Sequence, residues 1–297
     1  MASQVPLHYV QQFSSNLKLK LQQEGSRLRA AVMNGSHIGE QASPVDQYGA
    51  VVANKVVGRY NPMPNTEAPT DRRWVLPQDY DLNQLVDSFD KLRLLVDPSS
   101  VYVTNAVYAL GRAMDGEILA GLMGTNQTGK SGGTATTFPT ANAVSVQQGA
   151  ASATNLTVAK LREAKRLLSS FNVDFMKEEV YAAINATNHD SLLAEAQVIS
   201  LDYNDKPVLV EGRVERFLGI NFIHTELLST GTDDQSGTST QVPVWVKSGA
   251  YLGMWSDVKT KVSDRDDLQG IPTQVYVKGT FGATRLEENK VIKIWAR

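Results

Sequence analysis

Apolar residues recur most regularly between Val103 and Leu122, where Val103, Val107, Leu110, Met114, Ile118 and Leu122 follow at intervals of three and four. That period lines them along one stripe of an α-helix. Asp97 can accept from the free amides of the first turn, and Pro98 suits the first helical position, where no amide partner is needed. The pattern therefore predicts a helix over 98–123, a rod of about 39 Å at 1.5 Å per residue. So long a rod with one apolar face needs a broad surface to lie on, and the rest of the chain reads mostly as strand. YGAVVANKVVGRY (48–60) is rich in valine and reads as strand, as do residues 72–76. Between them Pro62, Pro64 and Pro69 stiffen an open tip. A long two-stranded hairpin results. Two strands alone bury too little to be stable in water, so either the chain's own core or another subunit must receive them.

Before the hairpin, residues 10–33 are helix-like but polar, with only Phe13, Leu17, Leu21 and Leu28 as spaced apolar positions. Such a segment is expected to pack on a neighbour or to lie as an arm. After the long helix, Val158, Leu161, Ala164, Lys165 and Leu168 mark a second helix, with Lys160, Arg162, Lys165 and Arg166 assigned to its polar side. A strand follows from Glu178, a short helix around 191–196, an alternating strand over 211–226, a polar loop over 231–241 and a strand over 242–246. Residues 274–287 and 290–297, separated by the turn residues Glu288 and Asn289, read as a closing hairpin. This order is α+β, without the regular alternation of a doubly wound sheet.

The chain of 297 residues has room for one or two domains. Its 29 lysines and arginines against 31 aspartates and glutamates leave a formal charge of -2, so any nucleic-acid contact must be local. The absence of cysteine excludes disulfides and thiolate-metal chemistry and fits a reducing compartment. No signal-like apolar core opens the chain, and no apolar run reaches membrane-spanning length, so a cytosolic product is expected with no membrane partner.

Candidate chemistry is sparse. Residues 124–131, GTNQTGKS, match the phosphate-binding P-loop pattern in full. A working P-loop lies between a buried strand and a helix. Here a helix precedes the pattern, and the following GGTATTFPT opposes helix, so it reads as a flexible loop where the long helix stops; an NTPase is only a remote alternative. His8, His37, His189 and His224 show no metal-ligand spacing. His189, Asp190 and Ser191 are consecutive and cannot converge as a triad; they read as a cap on the short helix. Asp87, Asp90 and Lys91 have the spacing of exposed helix-face pairs. Neither an active site nor a cofactor or metal site emerges. What remains is a set of projecting elements short of partners, as in an assembly subunit.

Several strings, in this order, resemble the major capsid proteins of tailed bacteriophages with the Hong Kong 97-type fold: VQQFSSNLKLKLQQEGSRLR, DQYGAVVANKVVGRYNPMPNTEAPTDRR, DKLRLLVDPSSVYVTNAVYALGRAMDGEILAGL, LTVAKLREAKRLL, DYNDKPVLVEGRVERFLGINFI and GATRLEENKVIKI. The resemblance implies an N-terminal arm (1–40), an extended β-hairpin loop, or E-loop (41–78), a peripheral domain (79–155 and 266–297) holding the spine helix 98–123, and an axial domain (156–265). It implies a non-enzymatic subunit that self-assembles as pentamers and hexamers into an icosahedral shell around nonspecifically held double-stranded DNA. A portal protein joins that shell, and separate scaffold and decoration proteins remain open. Such a shell forms in the host bacterial cytoplasm and ends as the virion capsid. An encapsulin-like nanocompartment shares the fold and is the alternative. Some relatives weld subunits through an extended-loop lysine; Lys55 lies on the corresponding loop, but no companion site is identifiable, so noncovalent contacts are expected. Lys55 and Arg59 on the loop, and Arg72 and Arg73 at its base, are then candidates to meet Asp115 and Glu117 projecting from a neighbour's spine helix.

Overall fold

A computed structural model describes residues 22–39, 42–56, 58, 62–63, 65–86, 99–195 and 214–297. In chain order come β1 (Met33–Ser36), β2 (Ser43–Tyr48), β3 (Thr70–Val75), β4 (Gln78–Val86), α1 (Ser99–Met123), β5 (Asn126–Thr128), β6 (Thr134–Thr136) and β7 (Ala143–Val144). Then follow α2 (Val158–Ser170), β8 (Val180–Ile184), α3 (Ala186–Leu193), β9 (Arg216–Phe217), β10 (Ile220–His224), β11 (Thr230–Thr232), β12 (Thr238–Val246), β13 (Ala250–Asp264), β14 (Thr273–Arg285) and β15 (Val291–Ala296). The chain divides into two compact units. One comprises residues 78–113 and 256–280 with the described residues up to Ser26; the other comprises 27–77, 114–255 and 281–297. Helix α1 and strands β13 and β14 run from one unit into the other.

In the first unit, α1 packs Val103, Ala106 and Leu110 against Val275 and Val277 of β14, with Leu82 of β4 and Val258 of β13 around them. Intervals of three and four on the helix, and of two on the strand, bring each set to one face. The expected long helix does lie on a sheet. The sheet's opposite face is polar, where Thr280 Oγ1 donates to Asp79 at 2.6 Å and Gln274 Nε2 donates to Asn83 at 2.9 Å. Asp97 and Pro98, the expected cap, fall outside the described residues.

The second unit holds a seven-stranded mixed sheet in the order β7-β15-β12-β8-β10-β9, with β11 beside β12. Helix α2 buries Val158, Leu161, Ala164 and Leu168 in a core shared with Val180, Ala182, Val244, Ile292 and Ile294 of the sheet. Thr157 caps α2 by accepting from the Lys160 amide. Asn185 caps α3 by accepting from the Asn188 amide at 2.8 Å, so the short helix begins earlier than expected and His189 lies inside it. The expected polar loop 231–241 is largely paired as β11 and β12. Its turn is closed by Asp233, which accepts from the amides of Gln235 at 2.9 Å and Gly237 at 2.8 Å.

The closing hairpin does not form. Strand β15 instead pairs antiparallel with β12 (Val242 opposite Ile294) and parallel with β7 (Val144 opposite Ile294). Its sequence VIKIWA is apolar almost throughout and buried on both faces, which suits a central strand better than a hairpin arm. The supposed turn residue Glu288 is drawn elsewhere: its carboxylate takes Arg73, and its carbonyl accepts from Asn142 Nδ2 at 2.5 Å.

A smaller sheet, β2-β3-β5-β6, completes the second unit. Arg285, fully buried, donates from Nη1 to the carbonyls of Leu122 at 2.6 Å and Gly124 at 3.3 Å, placing a cation on the last carbonyls of α1. The expected helix over 10–33 is not seen in its described part: residues 22–32 contain only a short 3-10 turn at Arg29–Ala31. Residues 10–21 lie outside the described residues.

Candidate functional site

The phosphate-loop pattern folds as a β-hairpin. Asn126–Thr128 and Thr134–Thr136 pair as β5 and β6, and β5 also pairs with β3. The segment is thus neither a phosphate cradle nor a free loop. Gly129 and the following Gly132 serve Trp74. The indole Nε1 donates to the Gly129 carbonyl at 2.7 Å, and Gly132, at φ +72°, sits so close to the ring that a Cβ there would lie 3.1 Å from it. Left-handed backbone and indole contact together require glycine. Lys130 is exposed and lines an open polar groove of about 430 Å3 with Asp46, Tyr48, Thr70 and Arg72.

That groove marks the root of the extended loop. Strands β2 and β3 pair from Ser43 opposite Val75 to Tyr48 opposite Thr70, and there the ladder ends. Beyond it the Gly49 amide donates to the Pro69 carbonyl at 2.7 Å, and Asn54 Nδ2 donates to Thr66 Oγ1 at 2.8 Å, so the two arms stay together. Residues 49–56, expected as strand, carry none. Valine-rich sequence favours extended backbone, but a strand also needs a neighbouring ladder, and Pro62, Pro64 and Pro69 are poor partners for one. Val52 is 79% exposed, Val56 86% and Met63 93%.

The charged residues expected at assembly contacts divide by environment. Lys55 is exposed on the loop, and Arg59 lies outside the described residues. Arg72 donates from Nε to Asp46 at 2.6 Å on the hairpin surface; that hydrogen bond raises its pKa. Arg73 is buried and grips Glu288 with both terminal nitrogens, at 2.8 and 2.6 Å, which ties the loop base to the turn before β15. Asp115 does not project from the spine. It is fully buried and accepts from the amides of Arg27 at 2.9 Å and Leu28 at 3.1 Å. Two backbone donors satisfy the carboxylate, so it can be internal to the subunit. Glu117 is half-buried. Leu28, expected to lack a partner in its own chain, is completely buried in it.

The basic face expected on α2 also breaks up. Lys160 is fully buried and donates from Nζ to the carbonyls of Thr154 at 2.6 Å and Trp295 at 2.8 Å. Burial lowers its pKa to about 8, against the pull of Asp234 and Asp233. Lys165 donates to the Leu218 carbonyl and lies over the Phe175 ring, and Arg166 pairs with Glu163. Arg162 is exposed. Among the described residues no group of three or more His, Asp or Glu side chains could hold a metal ion, and no helix is long and apolar enough to cross a membrane.

Solved phage capsids share this architecture. The chain is similar to the capsid of cyanophage P-SCSP1u (15% identity, 98% of this chain and 93% of that one, TM-score 0.74). It is also similar to the capsid of Ralstonia phage GP4 (11%, 98% and 96%, TM-score 0.71) and to that of cyanophage Pam1 (11%, 96% and 95%, TM-score 0.69). No curated protein sequence matches it. The mixed α+β fold, with its long helix, is the Hong Kong 97-type fold of those phage capsids. The sequence model of the family described as phage capsid protein matches residues 5–296, and the chain belongs to that family. Its role is the structural one of a major capsid protein, which joins with other copies to form the phage shell.

Proposed function

We propose that copies of this chain assemble in the host cytoplasm as pentamers and hexamers that close into an icosahedral shell around double-stranded DNA, with a portal protein at one vertex. The exposed loop carries this reading. Val52, Val56 and Met63 stand almost wholly in solvent on a segment that Asn54 and Thr66 hold together, a state that favours insertion against a neighbour. The loop of one subunit docks over the spine helix of the next, held by apolar burial and backbone pairing, while Lys55 and Arg59 on the loop and Glu117 on the helix set register. Arg72 contributes after leaving Asp46. Each contact repeats around a closed surface, so modest pair affinities suffice.

Negative-stain microscopy of wild type and Arg59→Glu at low and high salt tests the register role. The variant should assemble poorly at low salt; normal assembly at both salts would remove the charge pairing from the proposal. Boiled shells should run as monomer on a denaturing gel, and a covalent ladder would contradict noncovalent joining.

A further inference from the structure

Three residues on one turn of α1 meet the chain just after residue 21. Arg112 Nη1 donates to Gln22 Oε1 at 2.9 Å and to the Gln23 carbonyl at 3.2 Å. Gly111 leaves space where Gly25 and Ser26 cross the helix: a Cβ would lie 2.5 Å from the Gly25 carbonyl carbon and 2.6 Å from the Ser26 nitrogen. Asp115 gives one carboxylate oxygen to the Arg27 amide and the other to the Leu28 amide. The residues that follow are tied down as well. Arg27 Nη1 donates to the His224 carbonyl at 2.8 Å, Leu28 is fully buried, and Trp245 Nε1 donates to the Ala31 carbonyl at 2.9 Å.

We infer that this turn is a seat, built into the single subunit, that holds residues 22–28 as the point of attachment of the residues before Gln22, and that Asp115 is its positioning residue for assembly. The inference rests on the reading that those residues form an arm gripping a second copy. Asp115 suits the task because a buried carboxylate bonded to two successive amides holds backbone irrespective of the side chains there. Asparagine could not replace it: one of its atoms is a donor and would face a backbone N–H. Glycine is a poor helix residue, and at 111 the close passage of Gly25 and Ser26 explains its presence. With its root fixed, the arm meets a neighbour from a set point of attachment, which lowers the ordering cost of association.

The test combines amide hydrogen exchange on the unassembled subunit with microscopy of assembly products, for wild type, Asp115→Asn, Gly111→Ala and a variant lacking residues 1–21. In Asp115→Asn the Arg27 and Leu28 amides should exchange about tenfold faster or more, with β12 amides unchanged. At temperatures where every variant is fully folded, both substitutions should give open or irregular shells, as the arm deletion does. Gly111→Ala alters no charge, so a matching defect assigns the effect to the seat. Normal shells from both substitutions, alongside defective shells from the arm deletion, would overturn the seat while leaving the arm reading intact. Normal shells from the deletion would remove the arm reading and the inference together. Unchanged exchange at Arg27 and Leu28 would also overturn it.

Discussion

Residues 27–32 at the arm root and the described residues of the extended loop both carry apolar side chains outside any strand, and the subunit treats them oppositely. At residues 27–32, Leu28, Ala31 and Val32 are buried, and Asp115 and Trp245 bind the backbone. At residues 51–63, Val52, Val56 and Met63 lie in solvent, and the described loop is joined mainly to itself. Apolar content alone does not mark an assembly surface. The mark is apolar content that the subunit leaves uncovered.

The largest effect belongs to the inside: Leu28→Ala should cost the unassembled subunit about 2–5 kcal/mol in urea unfolding, because it empties a filled site. A loss under about 0.5 kcal/mol would place the arm root with the loop. A second measurement concerns a charge held inside. Lys160 has a folded-state pKa of about 8 against an ordinary value of 10.5. Between those values the unfolded chain holds a proton that the folded chain has released, so stability rises with pH across the window and is flat below it. Relative to Lys160→Met, wild type should gain up to about 3 kcal/mol from below pH 8 to near pH 10.5. Parallel pH profiles would show that burial does not govern this lysine. The smallest subunit effect belongs to the outside. Val56→Asp should leave urea unfolding within about 0.5 kcal/mol of wild type and yet abolish closed shells in negative stain. Normal shells would remove Val56 from the interface.

What was legible in the sequence follows from the range of the forces involved. The spine helix was readable because its stripe is local: Leu110, Met114, Ile118 and Leu122 repeat within one element, and all are buried. Helix α2 was readable for the same reason, but not the fate of Lys160, whose partner Trp295 lies 135 residues further on. Asp115 was misread because a carboxylate on a helix is usually solvated, and its partners Arg27 and Leu28 lie far away in sequence. No local signal could have found them. The closing hairpin was a different error. Glu288 and Asn289 look like turn residues, yet β15, apolar but for Lys293, has the composition of a strand buried on both faces. The loop was misread in the opposite sense, because valines at 51–57 report a preference for extended backbone and say nothing about a ladder to join. Gly129 in GTNQTGKS fits a phosphate pattern as well as it fits the indole of Trp74, and only the neighbouring elements separate the two.

The position of β15 has a consequence for the order in which a nascent chain matures. The strand latest in the sequence lies in the interior of the seven-stranded sheet, between β7 and β12, so β7 cannot join until residues 291–296 have been synthesised. Pairing across such separations makes folding slow, and completion of this lobe waits for residues 291–296. A chain that lacks residues 291–296 therefore has neither that interior strand of the sheet nor a place for β7.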